Sequence, residues 1–506
     1  MGWCIILNTQ SIHLQRIGLL DLNCMKKLYL TLLLAGSLTT AFAQDHPGMK
    51  TMDLTAAQMA HYMAPGWNLG NTLEAGSSAN NFTNNAGVAS ETSWQPTKTT
   101  QKILNAVKAK GFKSVRIPCA WVMGHIADKA AMTIDPAWMN RVKEIIDYCI
   151  NAGLYVVIND HWDGGWLEYD GFTTEADVSA KKEQLRKLWT NIANALKDYD
   201  ERVIFAGLNE PGGGGASPEA KGSLMLGNQW DPSDEDLTKF TERLVEYENV
   251  FVDAVRATGG NNAKRVLVVQ GPTTNINQTV NHFDASRISD TAKDRLMVEI
   301  HCYEPYNFCQ NTDAKTAYFY WVGHGPKRAS HISTTQEEQS IKNSFAGLNT
   351  AFVGKGYPVI LGEYGAIRRT LSASEGVQAN HDESRQYWYQ LVTAEAMRGG
   401  VIPFAWDTNA TGFNTMTIVN RRDGSVYDQY DLDGITAGVS EAKEDYESTY
   451  PAPPTTAISL VSAGKSSEDN VYDLCGRIVK THVSNIREAG LPRGIYLFQG
   501  RKYVKD

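Results

Sequence analysis

Short apolar runs alternate with longer segments of helical periodicity along most of this chain of 506 residues. Eight runs are nearly continuous in apolar or β-branched residues, which is typical of strands buried on both faces. In chain order they are Gly66–Gly70, Ser114–Cys119, Tyr155–His161, Val203–Glu210, Arg265–Gly271, Leu296–Tyr303, Pro358–Tyr364 and Val401–Trp406. Two of the segments between them, Ala176–Lys197 and Asp234–Thr258, repeat apolar residues every three to four positions, which predicts amphipathic helices.

The order of these elements predicts an α/β fold. Eight strands that are each followed by a helix or a long connection favour parallel pairing. Closure into a (β/α)8 TIM barrel over residues 44–449 accounts for this order. An open doubly wound sheet is the alternative, but it would need a phosphate-binding glycine fingerprint after its first strand. The run Gly66-Trp67-Asn68-Leu69-Gly70-Asn71 does not have that form.

The amino-terminal residues predict an export signal. Met25 is followed by two lysines, by an apolar run from Leu28 to Leu38, and by Ala41-Phe42-Ala43. A charged region, a short apolar region and a small-x-small site form a secretory signal peptide. We therefore expect a signal peptide at residues 25–43 and a secreted or cell-surface protein. Residues 1–24 precede a start signal that is complete without them, and we interpret them as a misassigned extension.

The carboxyl-terminal end predicts a separate small module. Residues 450–457 contain Tyr450-Pro451-Ala452-Pro453-Pro454, a composition typical of a stiff linker. Residues 458–506 then contain two strand-like runs, Val471–Leu474 and Gly494–Phe498. A β module of this size is below the length that is easily stable by itself.

Composition narrows the choice of partners. The net charge of -8 argues against nucleic acid as a partner. The 12 tryptophans and 22 tyrosines can stack on flat ligand faces, with ordinary core packing as the alternative. Five cysteines follow the signal peptide, and we interpret them as core cysteines: Cys119, Cys149, Cys302, Cys309 and Cys475. Cys302 and Cys309 are close enough in sequence to form a disulfide, and no spacing indicates a metal site.

Polar residues lie at the ends of most of the predicted strands. In a (β/α)8 barrel the carboxyl ends of the strands form the active-site face. The residues placed there are Arg116, His161, Asn209, Glu210, His301, Tyr303, Glu363 and Trp406. Each histidine has an alternative interpretation as a hydrogen-bonded rim or core group. Eight such side chains at one rim nevertheless indicate an active site.

Two glutamates at this rim predict glycoside cleavage. One carboxyl must be protonated to give the leaving oxygen a proton, and the other must be ionised to attack or to activate water. Asn209 can bind a sugar hydroxyl beside Glu210. Arg116 and Tyr303 are suited to hold Glu363 ionised, because a positive charge and a donated hydrogen bond lower the pKa of a carboxyl. We expect neither a metal nor a cofactor.

Four motifs resemble glycoside hydrolase family 5, of clan A. They are Gly66-Trp67-Asn68-Leu69-Gly70-Asn71-Thr72-Leu73, Val115-Arg116-Ile117-Pro118, Asn209-Glu210-Pro211 and Leu361-Gly362-Glu363-Tyr364-Gly365. The first is similar to the opening signature of the endoglucanases of subfamily 4. The resemblance implies retaining double displacement on β-1,4-glucan, with Glu210 as acid/base and Glu363 as nucleophile. It also implies a set of sugar-binding residues: Asn68, Arg116, His161, Asn209, His301, Tyr303 and Trp406.

The chain departs from the subfamily after the third strand. The subfamily usually has two adjacent histidines there, whereas this chain has His161-Trp162. This departure puts the preference of the sugar subsites in doubt more than the chemistry. Trp162 and Trp166 provide either a stacking surface or packing for the loop, and the sequence leaves both open.

The carboxyl-terminal module resembles the sorting domain of type IX secretion substrates of Bacteroidetes-like bacteria. The residues that carry the resemblance are Val471-Tyr472-Asp473-Leu474, Gly476-Arg477, Leu491-Pro492-Arg493-Gly494-Ile495-Tyr496 and Lys502-Tyr503-Val504-Lys505. It implies export through the outer membrane and a secretion machinery as partner. An accessory β module of another kind is the alternative.

The polysaccharide itself stays open at this stage. β-1,4-Glucan is the first expectation, and xyloglucan, mixed-linkage glucan, mannan and xylan are alternatives on the same scaffold. The loops Gly212–Asp231 and Glu304–His331 decide among them, because loops carry the specificity of a barrel. A surface glycan-binding protein without turnover is a further alternative. The two glutamates argue against it, since binding needs neither.

Overall fold

The computed structural model describes residues 51–506, and two compact units divide between Pro451 and Ala452. The residues left out of this range are 170–171, 173, 214–221, 228–230, 327–328, 375, 454–469, 474–477, 482, 484–485, 487–489, 499–500 and 506. The predicted extension at 1–24, the signal peptide at 25–43 and residues 454–457 of the linker at 450–457 therefore lie outside the described residues.

The helices and strands alternate through the larger unit. The helices are α1 Ala56–Met63, α2 Gln101–Ala109, α3 Pro136–Asn151, α4 Glu175–Leu196, α5 Asp234–Ala257, α6 Ile276–His282, α7 Tyr306–Cys309, α8 Thr335–Ala351, α9 Gln378–Arg398 and α10 Gln429–Thr449. The strands are β1 Gly66–Asn68, β2 Ser114–Ile117, β3 Ile126–Asp128, β4 Thr133–Ile134, β5 Tyr155–Asn159, β6 Val203–Ala206, β7 Leu267–Asn275, β8 Leu296–Cys302, β9 Val359–Tyr364 and β10 Val401–Ala405.

Eight of these strands close into a parallel barrel in the order β1-β10-β9-β8-β7-β6-β5-β2. The pairing of β1 with β2 completes the ring, with Trp67 opposite Val115. The predicted (β/α)8 barrel is therefore confirmed. Strands β3 and β4 form a separate two-stranded antiparallel ribbon in the connection between β2 and α3.

Two barrel strands end four residues from the predicted place, whereas the other six end within two residues of it. β6 stops at Ala206 rather than at Glu210, because the N–H of Leu208 donates to the side chain of Gln270 and leaves the ladder. β7 instead continues through Asn275. The residues that follow β6 thus lie on a loop whose backbone is held by the side chain of Gln270 on β7.

The helices begin where local side chains satisfy their free N–H groups. The hydroxyl of Thr174 accepts from the N–H of Asp177, and the Asp177 side chain accepts from the N–H of Thr174, which forms a capping box for α4. Ser233 caps α5 by accepting from the N–H of Asp236. Both helices agree with the predicted segments to within one residue.

The core has two main parts. The larger lies between the strands and the helices around them. In the second, Met59 and Met63 of α1 pack with Tyr155, Ile204 and other residues at the beginnings of the strands. Since α1 covers that end of the barrel, the opposite end, where the strands finish, is available for a site.

The smaller unit contains an antiparallel sheet. Its strands are β11 Val471–Tyr472, β12 Ile478–Lys480, β13 Gly494–Phe498 and β14 Arg501–Lys505, in the order β12-β11-β13-β14. Val471, Leu491, Tyr496 and Phe498 are among its buried residues. A small β module is therefore present at this end of the chain, as predicted.

A further prediction concerns the cysteines. Cys302 and Cys309 are both buried free thiols, so the disulfide between them is not formed. Cys475 lies outside the described residues. Within the described part of the chain, no helix combines the length and the apolar character that crossing a membrane requires.

Candidate active site

The predicted rim residues converge at the carboxyl ends of the barrel strands. Asn68 ends β1, Arg116 lies on β2, and His161 follows β5. Asn209 and Glu210 follow β6, His301 lies on β8 with Tyr303 just after it, Glu363 lies on β9, and Trp406 follows β10. The contacts described below link Asn68, Arg116, Asn209, Glu210, His301, Tyr303 and Glu363 in one network.

Glu363 is held by groups from two other strands. Arg116 Nη1 donates to Glu363 Oε1 at 3.0 Å, and the hydroxyl of Tyr303 donates to Oε2 at 2.8 Å. The Glu363 side chain is only 7% exposed and the Arg116 side chain is fully buried. Both carboxylate oxygens therefore have a fixed partner, which restricts the orientation of the carboxyl.

Glu210 lies opposite and is more open. Its Oε1 is 2.7 Å from His301 Nδ1, and the side chain is 41% exposed. One oxygen of Glu210, one oxygen of Glu363 and a ring nitrogen of His301 all lie within 4.8 Å of one another. The two carboxyls are thus close neighbours with different degrees of solvent access.

His301 carries a positive charge at neutral pH. Nδ1 faces Glu210 and Nε2 lies 3.3 Å from Glu299, so that both ring nitrogens are donors. Burial would lower the pKa of His301, but the carboxylates of Glu363, Glu210 and Glu299 outweigh burial and raise it to about 9. His161 behaves oppositely: burial, with Arg116 and His301 nearby, lowers its pKa well below the ordinary value.

The pKa of Glu363 depends on its burial as well as on the partners that the sequence predicted. Arg116 and Tyr303 do lower its pKa, as predicted, and His301 lowers it further. Burial is the largest influence, however, and together with the charge of Glu210 it moves the pKa of Glu363 above the ordinary value for glutamate. The lowering by Arg116 and Tyr303 therefore agrees with the sequence, which names the partners of the carboxyl but gives no information on its desolvation.

Arg116 organises the amide side chains of the site. Nη2 donates to Asn209 Oδ1 at 2.6 Å, and Nη1 also lies 3.2 Å from Asn68 Oδ1. Asn68 in turn donates to the carbonyl of Gly362 at 2.8 Å. The position of Asn209 next to Glu210 is thus tied to the same guanidinium that holds Glu363.

The aromatic residues divide into exposed and packed groups. The rings of His161 and Trp406 are parallel, with an interplanar angle of 6° and centroids 6.2 Å apart. Trp166 is 1% exposed and donates to Asp160 at 3.3 Å, so it packs the loop. Trp162 is 38% exposed and borders a small cavity with Glu210. Both residues that the sequence left open line this cavity, and Trp162 is the more exposed of the two.

Two cavities adjoin Glu210. One of about 170 Å³ lies between the loops after β5 and β6, and its lining includes His161, Trp162 and Asn209. The other, of about 340 Å³, extends towards α8 between the residues after β7 and β8. Its walls include Thr273, Thr274 and Ser340. Thr273 and Thr274 have φ values of 49° and 51°, a conformation that costs free energy and is concentrated at binding sites.

The sequence interpretation missed Glu299 and Gln270. Glu299 on β8 is fully buried, with its carboxylate 2.8 Å from Arg116 Nε. Gln270 on β7 donates to that carboxylate at 2.5 Å. A signal was available, because Glu299 is a charged residue inside an apolar run and lies two positions from His301, on the same face of the strand.

The cluster of Glu210, His301 and Glu363 has the spacing to share a metal ion. These three side chains are better suited to sharing a proton than to binding a metal ion. The imidazole of His301 has both nitrogens engaged with carboxylates and a pKa of about 9, so it has no lone pair for a metal at neutral pH. Arg116 contributes a second positive charge next to Glu363.

Comparison with known proteins gives a consistent result. Residues 76–412 match the cellulase family, described as glycosyl hydrolase family 5. Endoglucanase A of Paenibacillus barcinonensis is 32% identical over 420 residues, which cover 80% of this chain and 94% of that protein. The xyloglucan-specific endo-beta-1,4-glucanase BoGH5A of Bacteroides ovatus is 33% identical over 371 residues, which cover 73% of this chain and 68% of that protein.

Solved structures agree with the sequence matches. The crystal structure of XEG5B, a GH5 xyloglucan-specific beta-1,4-glucanase from a ruminal metagenomic library, is 44% identical with a TM-score of 0.67. The match covers 77% of this chain and 97% of that one. A GH5-4 broad specificity endoglucanase from Bacteroides salanitronis is 33% identical with a TM-score of 0.65, and the match covers 77% of this chain and 97% of that one.

Proposed function

The chain belongs to the cellulase family, glycosyl hydrolase family 5, and we propose that it is an endo-β-1,4-glucanase that retains the configuration of the sugar. The pairing of Glu210 with Glu363 carries this proposal. Retaining enzymes place their two carboxyls about 5–5.5 Å apart, whereas inverting enzymes leave room for a water between them. Oxygens of these two groups lie within 4.8 Å of each other, which supports retention.

Glu363 serves as the nucleophile in the first step. Its ionised carboxylate attacks the anomeric carbon while Glu210 gives a proton to the departing glycosidic oxygen. The bond to the leaving sugar breaks and an ester between Glu363 and the sugar forms. The grip of Arg116 and Tyr303 on the two oxygens of Glu363 supports this assignment, because a nucleophile needs a fixed direction of attack.

Glu210 serves as acid and then as base. After the leaving sugar departs, the Glu210 carboxylate takes a proton from water, and the hydroxide attacks the anomeric carbon. The ester breaks, Glu363 regains its charge, and the product has the starting configuration. The 41% exposure of Glu210 supports this role, since the second step requires water to reach it.

The relatives and the cleft together support two candidate substrates. Endoglucanase names among the relatives favour an unsubstituted β-1,4-glucan backbone. A xyloglucanase is the second candidate, because XEG5B is 44% identical and is xyloglucan-specific. The cavity of about 340 Å³ beside Glu210 also supports it, since a branch sugar needs room next to the backbone. Mannan and xylan remain further outcomes.

We also propose, from the sequence, that the protein acts outside the cell. The signal peptide at residues 25–43 and the sorting-like module at 458–506 support export to the cell surface or the medium. Amino-terminal sequencing of the protein recovered from the medium should begin at Gln44. Recovery of a cell-retained protein that still carries residues 1–24 would contradict export.

A panel of soluble polysaccharides tests the function. We expect reducing-sugar release from carboxymethylcellulose, from xyloglucan, or from both, with lichenan as a weaker substrate and mannan and xylan near background. The inactive control is Glu363→Gln. If the wild-type protein releases no sugar from any member of the panel, the proposal fails and a glycan-binding role replaces it.

A second pair of variants tests the branch cavity. Ser340→Trp places a large ring in the wall of the cavity, whereas Gln339→Trp adds the same ring to an exposed neighbouring position on α8 that does not line it. If branches occupy the cavity, only Ser340→Trp lowers kcat/KM on xyloglucan relative to carboxymethylcellulose. Equal ratios in both variants would reject this use of the cavity.

A further inference from the structure

Glu299 lies beneath both members of the carboxyl pair. Its Oε1 is 2.8 Å from Arg116 Nε and 3.3 Å from His301 Nε2. Arg116 in turn holds Glu363, and His301 holds Glu210. A single buried carboxylate therefore touches the cation next to the nucleophile and the cation next to the acid/base.

Gln270 fixes Glu299 from the neighbouring strand. Its Nε2 donates to Glu299 Oε2 at 2.5 Å, and its Oε1 accepts from the N–H of Leu208 at 2.9 Å. Leu208 is two residues before Glu210, on the loop that leaves β6. The Glu299–Gln270 pair thus connects β2, β8 and the backbone that carries Glu210.

Space for Glu299 comes from the residue before the nucleophile. A Cβ atom at Gly362 would lie 2.0 Å from Glu299 Oε1, well inside contact distance. Any side chain at position 362 would therefore displace the buried carboxylate. The glycine of the Leu361-Gly362-Glu363 motif is required by Glu299, since its own conformation is not in the left-handed region.

We propose that Glu299 is a positioning residue for the reaction, and that it orients Arg116 and His301 so that Glu363 and Glu210 face the same bond. This inference rests on the roles proposed for those two glutamates. Glu299 does not reach the substrate, because it is completely buried beneath the other groups.

The charges around His301 explain why a carboxylate is needed. The charged or titratable groups facing it are Glu299 on its own strand, Glu210 after β6, Glu363 on β9, Arg116 on β2, His161 after β5, and Tyr303. Arg116 and His301 place two positive charges in a buried space. Glu363 contacts both, at 3.0 and 3.8 Å. Glu299 also contacts both, at 2.8 and 3.3 Å, and its side chain is completely buried. Arg116 and His301 lower the pKa of Glu299 despite its burial, so it stays ionised.

The isosteric variant Glu299→Gln tests the proposal. It keeps the volume and an acceptor oxygen but removes the negative charge that faces the second proton of His301. We expect kcat to fall about 100-fold, the scale of a small misplacement of catalytic groups. KM should change less than about threefold, as for a contact that matters in the transition state. The titration midpoint of His301, followed by NMR of its ring and assigned with His301→Asn, should fall by about one pH unit or more.

Glu248→Gln is the matched control. Glu248 is also a fully buried glutamate, and its Oε1 accepts from the backbone N–H of Gln270 at 2.7 Å. Burial raises the pKa of Glu248 well above the ordinary value, which favours the neutral carboxyl that an amide resembles. We expect kcat and the His301 midpoint to match the wild-type values.

The results of these experiments distinguish the positioning role of Glu299 from the proposed function. Wild-type kcat and an unchanged His301 midpoint in Glu299→Gln would overturn the positioning role. If that variant does not fold, Glu299→Asp replaces it, because it keeps the charge and shortens the reach of the carboxylate. Wild-type kcat in Glu299→Asp would overturn the proposal, and a lower kcat with a nearly unchanged KM supports it. Loss of activity in Glu363→Gln together with full activity in Glu299→Gln would reject the inference and leave the proposed function intact.

Discussion

The imidazole of His301 lies 2.7 Å from the carboxylate of Glu210 through Nδ1, and its other nitrogen faces Glu299 at 3.3 Å. A ring with a carboxylate at each nitrogen holds both protons, which agrees with its pKa of about 9. At neutral pH the active site therefore contains a positive charge beside the acid/base, in addition to the guanidinium beside the nucleophile.

The charge on His301 makes the stability of the barrel depend on pH. Its folded pKa of about 9 lies above the ordinary value of 6.5, so its contribution is complete below pH 6.5 and is lost as pH rises through about 9. The difference corresponds to about 3 kcal/mol. Glu74 and Glu201, each with a pKa raised by burial to about 7, add to the same slope in every variant.

Urea unfolding at a series of pH values checks this prediction. The free energy of unfolding of the wild-type protein should fall more steeply from pH 6.5 to 9.5 than that of His301→Asn. His282→Asn, which removes a histidine 3.5 Å from the exposed Asp234, should keep the wild-type slope. Identical slopes in the wild type and His301→Asn would mean that His301 is not held as a cation.

Tyr303→Phe should move the acid limb of the activity profile. The Tyr303 hydroxyl lowers the pKa of Glu363, so its loss lets the buried carboxyl keep its proton to higher pH. A hydrogen bond to a charged group contributes about 1.5–3 kcal/mol, which corresponds to a loss of roughly ten- to 100-fold in kcat/KM. The measurement is kcat/KM against pH on a soluble substrate.

Tyr306→Phe controls for the loss of a hydroxyl nearby. Tyr306 lies three residues further on and is 50% exposed, and we expect its variant to keep the wild-type acid limb. If the acid limb of Tyr303→Phe stayed at its wild-type position, Glu363 would not be the group whose deprotonation sets that limb.

Azide should distinguish the two carboxyls. In Glu210→Gly, hydrolysis of an activated aryl cellobioside should fall and then recover with azide, which replaces the water that needs a base. The product should be a β-glycosyl azide, since azide attacks the same face as water. Glu363→Gly has no ester for azide to intercept and should give no β-glycosyl azide. A β-azide from Glu363→Gly instead would reverse the assigned roles.

Gly362→Ala should destabilise the barrel. The new Cβ would meet the Glu299 carboxylate at 2.0 Å, and overpacking of this kind costs about 1–3 kcal/mol. Gly347→Ala is the matched control, because only Val280 lies near its Cβ, at 3.9 Å, and alanine in a helix should stabilise by about 0.5–1 kcal/mol. Urea unfolding that shows no loss for Gly362→Ala would mean that Glu299 has room to move.

The barrel could be predicted because buried parallel strands have a distinctive sequence. Runs such as Tyr155–His161 and Leu296–Tyr303 are mostly apolar and have polar residues towards their ends. Strand lengths were harder to predict. The end of β6 depends on the side chain of Gln270, which lies 62 positions from Leu208 and gives no local signal.

The site could be predicted where a polar residue lies at or next to the end of a strand, and was missed where one lies deeper inside it. Glu363 and His301 were recognised, whereas Glu299 was overlooked although strand alternation places it on the face of His301. The ionisation of Glu363 could not be predicted, because the sequence shows Arg116 and Tyr303 but not how completely the barrel buries the carboxyl. Burial arises only when eight distant segments close into a ring.

In the proposed reaction Glu210 and Glu363 act together in a double displacement. Proton NMR of the anomeric region during hydrolysis of a soluble β-1,4-glucan tests it most directly. The account predicts that the β-anomer of the product forms first and that the α-anomer grows later by mutarotation. Formation of the α-anomer first would contradict it.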